Sequence, residues 1–137
     1  MAFQYSVAVR NATLDPIEST IGTSPRLYLY TGSIPANTAA AATGTLLNSA
    51  SYSLPADWLT AASGGQKTIN NGPWTVTANA TGTAGYFRIL DSTGTTVGIQ
   101  GTVSATGGGG DMILDNTSIV SGQAVSITAF TITAGGA

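Results

Sequence analysis

The stretch from Gly85 to Ser104, GYFRILDSTGTTVGIQGTVS, limits the possible folds more than any other part of the chain. In its first arm Phe87 and Ile89 fall on one side, with Tyr86, Arg88 and Leu90 on the other. In its second arm Val97, Ile99 and Val103 oppose Thr96, Gly98, Gln100, Thr102 and Ser104. An apolar residue at every second position is the mark of a half-buried strand. Between the arms, Asp91-Ser92-Thr93-Gly94 brings two side chains that bond back to the local backbone and a glycine free to take φ > 0. The stretch therefore predicts a hairpin at the centre of an antiparallel sheet.

Other segments extend that sheet. Arg26 to Thr31 reads as a strand with Leu27 and Leu29 facing the core. Tyr28 and Tyr30 then form an aromatic ridge on the other face, suited to a partner or to cross-strand packing. Thr45-Leu46-Leu47 makes a short strand, and Trp58 and Leu59 are expected to plug the core. Asn71-Gly72 lies between Lys67-Thr68-Ile69 and Trp74 to Ala78, which predicts a second hairpin with a type I′-like turn. In Ala124 to Thr133 the apolar parity switches from Val125 and Ile127 to Phe130 and Ile132. A bulge near Thr128-Ala129 would restore a single buried face. Short strands at this spacing, with turn signals between them, predict a mainly β fold, an antiparallel β-sandwich or jelly roll. The small-residue stretches Gly32 to Ala42 and Ala61 to Gly65 are read as contact loops.

The N-terminal part is different. Phe3, Val7, Leu14, Ile17 and Ile21 recur at helical spacing, which predicts an amphipathic helix across Ala2 to Gly22. Asp15-Pro16-Ile17-Glu18 resembles a fresh helix start, with Asp15 as N-cap, Pro16 at the first helical position and Glu18 closing a capping box. Two short helices or one kinked helix both satisfy this, with Gly22 as the closing cap. The chain thus divides into a helical segment or arm over 1–24 and a single antiparallel β domain over 25–137. The segment either covers one end of the sheet or docks on a neighbouring subunit.

Composition removes most chemistry. The chain has no His and no Cys, so neither an imidazole-based nucleophile pair nor a thiolate metal site can be assembled. No catalytic, cofactor-binding or metal residues are assigned. Asp15, Glu18, Asp57, Asp91, Asp111 and Asp115 are the only carboxylate side chains, and they show no convergent pairing. The run Gly107 to Gly110 before Asp111 fits neither a calcium loop nor a phosphate loop, and reads as a glycine turn. Four cationic side chains and a net charge of −2 argue against nucleic acid. No secretory leader or membrane-length apolar run is read, which predicts a soluble protein made in the cytoplasm. Only 7% of residues are charged, against about 25% in an ordinary domain. Weak self-repulsion of this kind favours association with copies or partners.

Several motifs carry a family resemblance. They are the opening Met1 to Asp15 with Glu18 and Ile21-Gly22, then Leu54-Pro55-Ala56-Asp57-Trp58 and Thr81 to Ile89. Gly107 to Met112, Leu114 to Ile119 and Ser121 to Val125 complete the set. Together they resemble a family of small structural proteins of tailed bacteriophages and prophages. The resemblance implies a virion component without enzymatic activity or cofactor. The first role it implies is capsid decoration, as a cement protein on the outer surface of the head, and the second is a tail or tail-fibre-associated β module. Its implied partners are the major capsid protein or another virion protein and further copies of itself, with a trimer favoured. Phe3, Tyr5, Tyr28, Tyr30, Ile34, Pro35 and Ser63 are the candidate contacts. A glycan-binding module is the alternative from another class, and it would need Trp58, Trp74, Tyr28 and Tyr30 as an exposed platform.

Overall fold

The structure, a computed structural model, describes residues 3–136. Met1, Ala2 and Ala137 lie outside the described residues, and with Ala2 the first position of the expected helix. The described chain is mainly β, with two short helices in front: α1 (Val7–Leu14) and α2 (Pro16–Ile21). The strands are β1 (Arg26–Thr31), β2 (Gln66–Thr68), β3 (Trp74–Thr77), β4 (Gly82–Leu90), β5 (Val97–Ala105), β6 (Met112–Leu114), β7 (Ser118–Ile119) and β8 (Ala124–Thr133).

β4 and β5 form the central hairpin, pairing from Tyr86↔Thr102 to Leu90↔Val97. Asp91 organises its turn: Oδ1 accepts from the Thr93 hydroxyl and the Thr95 N–H, both at 2.9 Å. β1 lies antiparallel on the other edge of β4, from Arg26↔Leu90 to Thr31↔Ala84. Leu27, Leu29, Phe87 and Ile89 point into the core, as their alternation predicts.

The bulge in β8 is present. Ile113 pairs with Ala129 and Leu114 with Ile127, leaving Thr128 unmatched. Val125 and Ile127 are fully buried before the bulge and Phe130 after it, so one extra residue keeps a single inner face.

Three expectations need correction. β2 and β3 do not pair with each other, so Asn70 to Pro73 is not a hairpin turn. Both strands run antiparallel along β8, β2 opposite Thr131–Thr133 and β3 opposite Ala124–Ile127. The Asn side chains are used elsewhere: Asn70 donates to Asp57 Oδ2 at 2.8 Å and Asn71 to Asp57 O at 2.9 Å. The second correction concerns the all-antiparallel domain, because β6 pairs parallel to β5 from Val103↔Met112 to Ala105↔Leu114. Gly107 to Gly110 make this short return possible. The chain doubles back over Ser104, where a Cβ on Gly110 would lie 2.7 Å from the Ser104 nitrogen. The third concerns the capping box. Asp15 is itself helical at φ −57 and ψ −38 with no side-chain cap bond, because it links α1 directly to α2. Gly22 does close α2, donating its N–H to Glu18 O at 2.7 Å.

The pairing path returns on itself. From β1 it passes through β4, β5, β6 and β8, and β3 takes it onward from β8. Ala78, just after β3, bridges Asn48, and Leu46 bridges Tyr30 on the free edge of β1. Asn48, 1% exposed, stands in for a backbone there: Oδ1 accepts from the Leu29 N–H at 2.9 Å and Nδ2 donates to Leu27 O at 2.8 Å. Inside the ring, Trp58, Trp74, Phe130 and Phe87 form an aromatic chain with successive centroids 6.3, 6.2 and 5.3 Å apart. Such pairs add about 1 kcal/mol each beyond burial.

Candidate partner-contact surface

The candidate contacts separate into two groups. Phe3 and Tyr5 lie on the segment before α1, which Ser6 caps by accepting the Val9 N–H. Their rings meet edge-on at 5.4 Å, and the Tyr5 N–H donates to Gly136 O at 2.7 Å. Phe3 is 70% exposed and Tyr5 44%. Val7 and Val9, in the first turn of α1, are exposed as well. This corrects the amphipathic reading of α1. Val7 and Val9 do not face the sheet, and burial begins at Leu14, at the C-terminal end of α1, followed by half-buried Ile17 and Ile21.

Ser63 is exposed at the same end of the molecule. Ser63-Gly64-Gly65-Gln66 is a tight turn, closed by reciprocal backbone bonds of 2.9 and 3.0 Å between Ser63 and Gln66. Both glycines have φ > 0, as a type I′ turn requires. What reads as a linker in the sequence is therefore a hairpin, with Leu59 bridging Ile69. The turn is held against α1 by a bond from the Gly65 N–H to Asn11 Oδ1 at 2.8 Å.

The second group lies on the outer face of β1, β4 and β5. Tyr28 is buried and donates to Ala50 O at 3.0 Å. Tyr30 stacks on Tyr86 with ring centroids 5.0 Å apart and planes within 10°. Burial first, then Tyr86, raises the Tyr30 phenol above its usual value. The segment from Gly32 to Thr43, which carries half-buried Ile34 and Pro35, folds down over this face. Tyr86 holds its end, donating to Thr43 O at 2.6 Å, and Gln100 donates to Pro35 O at 2.9 Å. Arg88, 4% exposed, donates to Ala40 O at 2.7 Å and to Gln100 Oε1 at 3.1 Å. Its guanidinium is met by neutral acceptors rather than by a carboxylate. The tyrosine ridge is therefore mostly covered by the chain's own loop.

Three further carboxylates bond to groups of the fold. Glu18 Oε1 lies 2.8 Å from Lys67 Nζ, and Oε2 accepts the Leu59 N–H at 3.2 Å. Asp111 accepts from the Thr102 N–H at 2.9 Å and from its hydroxyl at 3.0 Å. Asp115 accepts the Ser126 N–H at 3.1 Å. Among the described residues no three acidic side chains gather where they could hold a metal ion. No helix there is long and apolar enough to cross a membrane. Trp58 and Trp74 are both buried, so the aromatics do not form an exposed sugar platform.

A groove of about 570 Å³ also opens on this surface, between α2 and the strands β5 and β8. The sequence gives no sign of it, because it forms where strands distant in the chain fail to meet. No family model matches this chain, and neither does any curated protein or solved structure.

Proposed function

We propose that this protein is a structural component of a tailed-phage virion, and that it decorates the outer surface of the head as a cement protein. The reading starts from the motifs that resemble such proteins. The structural observation that supports it is the distribution of exposed apolar surface. Of the five large hydrophobic residues that stand exposed among the described residues, Phe3, Tyr5, Val7 and Val9 fall in one short segment, with Val120 apart. A body with 7% charged residues and one apolar arm suits burial against a neighbour rather than turnover of a substrate. Under this reading the closed pairing path is a flattened sandwich or jelly roll. Its partners are the major capsid protein or another virion protein, and further copies of the chain, with a trimer favoured. Repetition over a particle lets modest individual contacts add up through avidity. A tail or tail-fibre-associated role would draw on the same surface.

The test is to add purified protein to matching particles made without it and to image them by electron cryo-microscopy. Ordered density on the head, at three-fold or quasi-three-fold positions, is expected. Density on the tail alone would transfer the protein to that location, and no binding to particles would overturn the virion reading.

A further inference from the structure

Arg88 carries a charge that the fold buries without a counterion. It is 4% exposed, with Nε bonded to Gln100 and Nη2 to the Ala40 carbonyl and, weakly at 3.5 Å, to that of Asn37. Among the described residues the one ion pair is Lys67–Glu18, so no carboxylate answers this guanidinium. A buried ion is costly unless it is paired as well as hydrogen-bonded. Its third nitrogen, Nη1, makes no hydrogen bond among the described residues. Arg10 Nε is the one side-chain nitrogen there that is both sealed off and unbonded, so Arg88 Nη1 stays within reach of solvent.

Arg88 lines a pocket of about 430 Å³, between the loop at Thr38–Ala40 and the turn entering β5 at Thr95–Val97. The loop side is shaped in advance, because Asn37 Oδ1 accepts the Ala39 and Ala40 N–H groups, both at 3.0 Å. The polar side chains of the lining are the guanidinium and three threonines, at 38, 95 and 96, with no carboxylate among them. Asp91 adjoins the rim, but its Oδ1 is taken by the Thr93 hydroxyl and the Thr95 and Thr96 N–H groups. A cation finds no ligand charge here, and an apolar ligand finds only two alanines and a valine. A small oxyanion finds a desolvated guanidinium with donors to spare, and hydroxyls beside it.

We propose that this pocket binds a small free oxyanion of the phosphate, sulfate or carboxylate class, with Arg88 as its charged donor and the hydroxyls of Thr38 and Thr96 on its rim. The bound anion bridges the loop to β5 and supplies the counterion that Arg88 lacks. Because it binds only the closed arrangement, it holds the loop more firmly over Tyr30 and Tyr86. The site is independent of any role in a virion.

The full ¹⁵N-labelled chain is titrated with sodium phosphate, then sulfate and acetate, with sodium chloride holding the ionic strength constant so that screening does not change. Saturable binding of at least phosphate is expected, with a dissociation constant below about 10 mM. Amide shifts should concentrate at Thr38–Ala40, Arg88 and Thr95–Val97, and hydrogen exchange across residues 36–43 should slow at saturation by at least about threefold. Thr38→Glu places a carboxylate at the rim from an exposed position, so the variant should keep its fold. It should weaken phosphate binding by at least about tenfold through like-charge repulsion and competition for Arg88. Ser63→Glu, exposed on the α1 side, changes net charge equally and should leave binding as it is. Shifts that never saturate, or that saturate at other residues, would overturn the proposal. So would a Thr38→Glu variant that binds phosphate as the wild type does.

Discussion

Lys67 Nζ sits 2.8 Å from Glu18 Oε1 and 3.0 Å from Thr60 O, so one buried ammonium joins α2 to β2 and to the segment before it. Lys67's side chain is 4% exposed and Glu18's 23%. Removing the carboxylate leaves an uncompensated charge inside the protein, which costs more than the intact pair is worth. Glu18→Ala should lower stability by about 3 kcal/mol in urea unfolding. Glu18→Ala with Lys67→Met should recover most of that loss. A double variant no more stable than Glu18→Ala would show that the cost lies in helix packing instead.

Asn48 closes the ring by satisfying two backbone groups of β1. Asn48→Ala leaves the Leu29 N–H and the Leu27 carbonyl unmet in the interior, so a loss of about 3 kcal/mol is expected. Urea midpoints compared at constant m-value check it. A change below about 0.5 kcal/mol, ordinary for a surface site, would mean that water reaches those groups.

The glycine run separates two reasons for having glycine. Gly107 has φ +85 with no neighbour near a Cβ, so Gly107→Ala should cost about 1 kcal/mol through backbone strain alone. At Gly110 a Cβ would meet the Ser104 nitrogen and the Val103 carbonyl carbon, at 2.7 and 2.8 Å. Gly110→Ala should cost about 3 kcal/mol and weaken the β5/β6 pairing. Thermal unfolding of the two variants ranks them, and the reverse order would contradict the close approach.

Asp91 ties stability to acid. The Thr95 N–H first, then the Thr93 hydroxyl, hold its carboxyl below the ordinary value of 3.8. A group depressed in the folded state stabilises above its unfolded value, and that contribution is lost as pH falls through the folded one. Asp91→Asn should therefore unfold with a shallower pH dependence below 3.8 than the wild type. Urea midpoints between neutral pH and strong acid give both slopes, and equal slopes would remove Asp91 from the acid response.

Arg88 is the clamp for the loop over the tyrosines. Arg88→Met keeps the aliphatic stem but loses the bonds to Ala40 O and Gln100 Oε1. Hydrogen exchange should accelerate by at least about tenfold across residues 36–43, while β4 and β5 stay protected. Unchanged exchange in that loop would shift its anchoring to Tyr86 and Gln100.

Alternation made the β4/β5 hairpin and the β8 bulge readable, since Phe87 and Ile89, or the switch from Ile127 to Phe130, announce which face is inside. Where apolar residues are sparse, pattern carries less. The Ser63–Gln66 turn is flanked by Thr, Ala, Gln and Lys, so its Gly-Gly pair reads as a linker. The Asn70–Pro73 segment carries a strong turn signal, yet the longer pairing along β8 decides its shape. Asn48 could not be identified, because its role depends on a β1 edge nearly twenty residues away. The N-terminal surface was the clearest misreading. Phe3, Val7 and Leu14 fit helical spacing, but the helix begins only at Val7 and its first turn stands in solvent, because spacing alone does not say which end of a helix meets the sheet. Of the candidate contacts, Phe3, Tyr5 and Ser63 stand exposed at one end, while the tyrosines became a floor beneath a loop.

The closed pairing path also bears on how such a chain survives crowding. Threonine- and alanine-rich strands with few charges are poor at repelling one another, and a bare sheet edge in such a chain invites fibrous stacking. Here the edge of β1 is occupied by residues 45–48, so that edge offers no template for stacking. Added salt, which screens charge repulsion, should therefore change its solubility little.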